Sequence, residues 1–230
     1  MNIVITGAGK GIGYETTLKL LAQKHTVIAI SRNIKALQKT EKKNKLLTCI
    51  SFDLAKDDFK NLLQEITSRV TKIDVLINNA GKLVNKPFQL ITEADLYNVY
   101  NVNIFSVFKL TQCLLPLMKN SSKRKSHIVN ISSMGGLQGS AKFSGLSAYS
   151  SSKGALAILT ECLALELQNK NVAVNCLCLG AVQTEMLSKA FPGYKAPVTA
   201  KQIAGFISEF AINGADFFNG KILPVSLSTP

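Results

Sequence analysis

The chain has 230 residues, 47% hydrophobic and 18% charged, and a chain of this size hides roughly 72% of its unfolded surface, so its core needs no disulfide or metal staple. That balance excludes disorder, collagen and coiled coil, and no apolar run approaches the ~18 residues of a membrane span. The formal charge of +13 comes from 24 Lys and only 3 Arg, scattered rather than forked for bases and phosphates, which argues against nucleic acid and for a field that attracts a small anionic ligand.

Strand-like and helix-like patterns alternate along the chain. Residues 3–5 read as a short buried strand, 12–23 as a helix, 26–30 as a strand and 34–43 as an exposed lysine-rich helix. Residues 46–52 form a strand ending at Asp53, 58–70 a helix with Leu62, Leu63, Ile66 and Val70 on one side, and 73–77 a strand. Residues 92–118 read as one long helix, opened by a Thr-x-x-Asp box (Thr92, Asp95) and bent or ended near Pro116. A strand at 128–131, a second long helix at 147–168, a strand at 172–179 and a closing strand at 221–225 complete the pattern. Between the last two strands, residues 182–197 have no clear period and contain Pro192, Gly193 and Pro197. A long loop of this kind is usually functional, and 182–199 is the expected substrate loop.

The strands are apolar throughout, as strands covered on both faces are. The expected fold is therefore α/β: a Rossmann-like, doubly wound parallel sheet of about seven strands with helices on both faces. No linker or repeat divides it, so one domain is expected over residues 1–230. The first residues, Met1 to Gly7, have neither a basic region nor a long apolar segment and do not read as a signal peptide. Five cysteines at 49, 113, 162, 176 and 178 form no C-x-x-C and read as buried free thiols in a reducing cytoplasm. His25 follows a helix, where a cation favours the dipole, and His127 opens a strand; no metal site is expected.

Thr6-Gly7-Ala8-Gly9-Lys10-Gly11-Ile12-Gly13 follows the first strand and opens the first helix. Glycines there permit a tight turn and close approach of the backbone to a pyrophosphate, which the helix N-terminus then binds. The spacing Thr-Gly-x-x-x-Gly-x-Gly resembles that of the short-chain dehydrogenase/reductase family. Asn78-Asn79-Ala80-Gly81 after the fourth strand, Ile131-Ser132-Ser133 at the end of the fifth, and Tyr149-Ser150-Ser151-Ser152-Lys153 at the start of a long helix occur in the family's order.

Tyr149 and Lys153 stand four apart on one helix face. An ammonium beside the phenol is expected to lower its pKa, making Tyr149 a general acid in ketone reduction and a base in alcohol oxidation. The resemblance implies that Ser133 binds the substrate oxygen, that Asn103 holds a water linking Lys153 to solvent, and that Lys153 grips the nicotinamide ribose. In the family's NAD-preferring members an acidic residue ends the second strand. Here Ser31 stands there with Arg32 after it and Lys10 nearby, so NADP(H) is the expected cofactor, its 2′-phosphate facing Arg32 and Lys10. Asp53 is expected at the adenine and Thr184 at the carboxamide. Gly7, Gly9, Gly11, Ile12, Gly13, Leu54, Asn79, Ala80, Gly81 and Val182 complete the expected cofactor contacts.

The chain departs from the family pattern in three places. Ser133 and Tyr149 are 16 positions apart, a few more than usual. Leu179-Gly180 replaces Pro-Gly, and no Asp-Gly-Gly follows the last strand. The expectation is an oxidoreductase acting on a small or lipid-like carbonyl or alcohol, with 3-oxoacyl carrier-protein reductase as a specific alternative and a non-catalytic NADP-binding sensor or scaffold as a different class. Apolar residues on several faces of the two long helices point to a homo-dimer or homo-tetramer, with no nucleic acid and no membrane as partner.

Overall fold

The computed structural model describes residues 1–118 and 124–227; residues 119–123 and 228–230 lie outside the described residues. The strands are β1 (Asn2–Thr6), β2 (Thr26–Ser31), β3 (Leu47–Ser51), β4 (Val75–Asn78), β5 (Ser126–Ser133), β6 (Val172–Leu179), β7 (Val182–Gln183), β8 (Val198–Thr199) and β9 (Ile222–Val225). The helices are α1 (Gly11–Ala22), α2 (Lys35–Glu41), α3 (Phe59–Thr67), α4 (Glu93–Tyr100), α5 (Ser106–Leu114), α6 (Ser147–Glu166), α7 (Glu185–Ala190) and α8 (Ala200–Asn213).

Seven strands pair in the order β3-β2-β1-β4-β5-β6-β9, every pair parallel. Alternate side chains enter opposite layers. Ile3 and Ile5 of β1 and Val75 and Ile77 of β4 pack with Leu20 and Leu21 of α1, Leu37 of α2 and Ile207 and Phe210 of α8. Val4 and Leu76 face the other way, onto Leu62 and Ile66 of α3, Leu110 and Leu114 of α5 and Ala164 of α6. Both faces are thus covered, which explains why the strands read as continuous apolar runs. From β1 the chain winds outward to β2 and β3, then returns to lay β4 on the other side of β1. The loops after β1 and β4 consequently part and open a crevice at the strands' carboxyl ends.

Three readings of the secondary structure need correction. The helix at 92–118 is not uniform: α4 passes into a π turn, Asn101–Phe105, before α5, and ends in a 3₁₀ turn, Leu115–Met118. The Thr92–Asp95 box forms as expected, with Thr92 Oγ1 accepting from Asp95 N and Asp95 Oδ2 accepting from Thr92 N. The second correction is α8, which the sequence reading passed over. Its signals are present: a capping box in which Thr199 Oγ1 accepts from Gln202 N and Gln202 Oε1 accepts from Thr199 N, and buried Ile203, Ile207, Phe210 and Ala211 at helical spacing. The preceding segment is also not loop throughout, since β7 pairs with β8 around α7.

The cysteines are all free, and Cys176 and Cys178 are buried, but Cys162 is exposed on α6. The charge expected to favour the dipole is disfavoured at His25: burial, then the N-terminal ammonium beside it, lowers its pKa.

Candidate active site

The turn after β1 is shaped by glycine. Gly7 and Gly11 hold φ of +68° and +58°, a region side chains with a Cβ avoid. Lys10, which precedes α1, gives the helix no side-chain cap, so its first N–H groups and positive dipole end are available to an anion. Gly7, Lys10, Gly11 and Ile12 line a cavity of about 610 Å³. Gly9 and Gly13 do not line it; they let neighbouring backbone close up. A Cβ on Gly13 would lie 2.4 Å from Gly7 O, and one on Gly9 2.1 Å from Asn33 O.

The loop after β4 is tied to this turn by Thr6. Its Oγ1 accepts from Asn79 N and Ala80 N at 3.1 and 3.0 Å, while Asn79 Nδ2 donates to Thr6 O at 2.9 Å. Asn79, Ala80 and Gly81 thereby form one side of the cavity. Ser31, Arg32, Asp53 and Leu54, at the ends of β2 and β3, close its far end. Arg32 is exposed and has no ion-pair partner among the described residues. Lys10 is turned elsewhere: its Nζ meets Glu185 Oε2 at 2.7 Å.

At the other end, Ser133 closes β5 while Tyr149 and Lys153 lie in the first turns of α6, and all three line the same cavity. The fit between β5 and α6 is close. Ser132 Oγ donates to Lys153 O at 2.9 Å, and a Cβ on Gly136 would lie 2.5 Å from the Lys153 carbonyl carbon. Ser132 thus ties β5 to α6, while Ser133 bonds to Tyr149 on the same helix.

The electrostatics differ from the sequence expectation. Lys153 is buried, 3% exposed, and its Nζ donates to Ile131 O at 2.8 Å, 5.9 Å from the centre of the Tyr149 ring. Burial lowers its pKa to about 8. Tyr149 moves up rather than down: desolvation raises the phenol to about 12, and a hydrogen bond with Ser133 only partly opposes it. The ammonium faces a carbonyl instead of the phenol oxygen, so the lowering expected from sequence is absent and the desolvation cost dominates.

Asn103 sits in the π turn, fully buried. Its Oδ1 accepts from Lys82 N at 2.8 Å, and its Nδ2 donates to Lys82 O at 3.0 Å and Ser152 Oγ at 2.8 Å. It does not line the cavity. A point beside Gly81, where a Cβ would stand, is 3.6 Å from Lys153 Nζ and 3.8 Å from Asn103 Oδ1, so Asn103 approaches from behind the wall the place that Lys153 reaches from the cavity. Such π turns accompany functional sites.

A family model described as short chain dehydrogenase matches residues 1–195. The chain belongs to the short-chain dehydrogenase family. It is 34% identical to a 3-oxoacyl-[acyl-carrier-protein] reductase of Thermotoga maritima, covering 81% of this chain and 76% of that protein, and 32% identical to carbonyl reductase [NADPH] 2 of Sus scrofa, covering 81% and 73%. Among solved structures, 4-hydroxyisoleucine dehydrogenase in a mutant form with NADH and succinate superposes with a TM-score of 0.88 at 27% identity, covering 98% of this chain and 97% of that one. ElxO with NADP bound superposes with a TM-score of 0.84 at 26% identity, covering 98% and 96%. The chain is therefore an oxidoreductase of the short-chain dehydrogenase family, acting on carbonyl or hydroxyl groups.

The remaining wall of this short-chain dehydrogenase comes from the long Ser133–Tyr149 connection and from the expected substrate loop. Phe143 and Leu146, from the long Ser133–Tyr149 connection, line the cavity together with Met186, Leu187, Phe191 and Tyr194 of α7 and the turn after it. Phe143 and Phe191 pack edge to face at 5.9 Å, and Asn85 Nδ2 ties the wall to Ala190 O at 2.8 Å. Val182 and Thr184 also line the cavity, and Thr184 Oγ1 caps α7 by accepting from Leu187 N.

Sequence reasoning missed the polar chain beneath the site. Asn78 Nδ2 donates to Asn130 Oδ1, Asn130 Nδ2 to Thr160 Oγ1, and Thr160 Oγ1 to Leu156 O, at 2.9, 2.9 and 2.8 Å. It joins β4, β5 and α6 in the apolar interior. A polar residue inside each apolar run was the only available signal.

Proposed function

We propose that the protein interconverts a carbonyl compound and its alcohol with NADP(H), Tyr149 serving as general acid and base. The observation that carries this is the shared cavity: the uncapped α1 N-terminus opens at one end and Ser133, Tyr149 and Lys153 stand at the other. The residues fit a nicotinamide dinucleotide, with free N–H groups for the pyrophosphate and unpaired Arg32 for an adenosine phosphate. Bound there, the nicotinamide supplies or accepts the hydride.

The chain's own residues do the rest. A phenol raised to about 12 keeps its proton at neutral pH, which suits donation to a carbonyl oxygen that Ser133 also holds. Lys153, brought from Ile131 O toward the ribose and phenol, favours the phenolate for the reverse direction. Asn103 fixes the loop at Lys82 and supports a water beside Lys153. A sensor or scaffold has no use for these groups in one cavity. The apolar wall of Phe143, Leu146, Met186 and Phe191 selects a small or lipid-like carbonyl compound.

Phosphate preference rests on Ser31 and Arg32, because no carboxylate ends β2 to repel a 2′-phosphate. A charge-assisted contact contributes ~1.5–3 kcal/mol, roughly 10- to 150-fold in affinity. The test is the kcat/KM ratio for NADPH over NADH. It should favour NADPH and collapse in Ser31→Asp combined with Arg32→Ala; a protein preferring NADH refutes the assignment.

A second copy of the chain fits the outer face of α5 and α6. Phe108 and Ile158 are 43% and 61% exposed there, with Phe105 and Leu165 nearby in sequence at 43% and 69%, so a homo-dimer or homo-tetramer in the cytoplasm is the proposed form. No helix among the described residues is long and apolar enough to cross a membrane.

A further inference from the structure

Lys10 stands between two places where it can be used. On one side, a Cβ on Gly9 would lie 2.7 Å from Ser31 Oγ; on the other, one on Gly11 would lie 3.7 Å from Thr184 Cγ2. The lysine therefore leaves the turn between the end of β2, where an adenosine phosphate would sit, and the start of α7. It lies toward α7, with its Nζ 2.7 Å from Glu185 Oε2, while the second carboxylate oxygen takes Lys189 Nζ at 2.6 Å. The two lysines hold the Glu185 carboxyl down at about 2, so it is fully charged at neutral pH. Lys10 and Glu185 are 71% and 50% exposed, which leaves the ammonium free to exchange one anion for another.

We infer that Glu185 sets the strength of the cofactor preference by competing with the adenosine 2′-phosphate for Lys10. The inference rests on the NADP(H) reading above. Glu185 acts through Lys10 and is a positioning residue. A cofactor with a 2′-phosphate draws Lys10 away from Glu185, whereas one without it leaves the pair in place. The carboxylate is thus a brake on NADP(H) affinity that NAD(H) does not feel. Lys189 bears on the same balance: by sharing the carboxylate it weakens the hold of Glu185 on Lys10.

The test is equilibrium binding without substrate, measured separately for NADPH and NADH by calorimetry or nicotinamide fluorescence. Exposed ion pairs are weak, so Glu185→Gln should tighten NADPH by about two- to five-fold and leave NADH unchanged. Glu185→Asp should restore the original value. Lys189→Met, which leaves the carboxylate wholly to Lys10, should move NADPH the other way. In a Lys10→Met background, Glu185→Gln should have no effect on either cofactor. Equal changes for both cofactors would mark a structural role at the start of α7 and overturn the inference. So would an NADPH affinity that Glu185→Gln leaves unchanged, or tightening that survives Lys10→Met. If the unmodified protein holds both cofactors equally, the phosphate reading itself fails, and the inference with it.

Discussion

Acid should unfold this protein early, and His127 is the reason. Its ring is buried, 1% exposed, with Nδ1 3.1 Å from Ala211 O and Nε2 3.0 Å from Asn175 Nδ2. Asn175 cannot turn its amide to help, because its Oδ1 accepts from Lys221 N and its Nδ2 also donates to Phe218 O. The ring is therefore neutral, with the proton on Nδ1 and Nε2 accepting. Protonating Nε2 would set a donor against a donor in an apolar interior, and burial accordingly lowers the pKa from 6.5 to about 4. Between those values the unfolded chain binds a proton that the folded chain refuses, so stability falls as pH drops from about 6.5 to about 4. At 1.36 kcal/mol per pH unit the loss totals about 3 kcal/mol, a large share of the 5–15 kcal/mol typical of folded domains. Asp74, Asp95 and Glu185 are shifted downward, so their contributions are lost only below about pH 4.5, at and beyond the acid edge of this window. His25, also lowered, adds a smaller slope of the same sign. Urea unfolding at half-unit steps from pH 7.5 to 4.5 measures the effect. His127→Gln should be about 1 kcal/mol less stable at neutral pH but should lose most of the slope. A variant as acid-sensitive as the unmodified protein would refute the argument.

Tyr149→Phe should bind NADPH within a few-fold of normal yet lose turnover by ~10²–10⁴; retention of more than about a tenth of kcat would remove Tyr149 as the acid. Gly13→Ala places a Cβ 2.4 Å from Gly7 O and 2.5 Å from Asn79 Nδ2, so denaturation should show a cost of about 1–3 kcal/mol and calorimetry weaker cofactor binding. Asn103→Leu strands the Lys82 N–H and C=O and should cost about 2 kcal/mol or more, with a drop in kcat exceeding that of Ser152→Ala. Phe108→Glu with Ile158→Glu should convert the assembly to monomers in light scattering; a monomeric parent protein would count against the proposed oligomer.

Much of the fold was legible because it depends on local pattern. Strands buried on both faces are apolar at nearly every position, so β1, β2, β4 and β6 announced themselves, and β6 occupies the residues read for it, Val172–Leu179. The Thr92–Asp95 box was equally readable, since both partners lie within one turn. The same signal stands at Thr199–Gln202, where the expected substrate loop ends, and opens a helix absent from the sequence reading. Residues expected at the site from their order along the chain (Ser31, Arg32, Asn79, Ser133, Tyr149, Lys153, Thr184) do line one cavity, because parallel strands deliver their carboxyl ends, and the loops and helix starts beyond them, to one edge.

The sequence by itself determined which residue types stand at those strand ends: glycines at the turn after β1, a serine in place of an acid after β2, and a tyrosine and lysine one helical turn apart. What those side chains face was decided only in three dimensions. The i, i+4 spacing places Lys153 beside Tyr149 but cannot say that its ammonium points to Ile131 O, nor that desolvation then raises the phenol. Lys10 and Glu185 are 175 positions apart, and no local pattern joins them. Asn103 faces inward from a π turn whose extra residue leaves no mark on the apolar periodicity. Spacing along the chain fixes direction only within one element; charge partners and solvent exclusion arise where different elements meet.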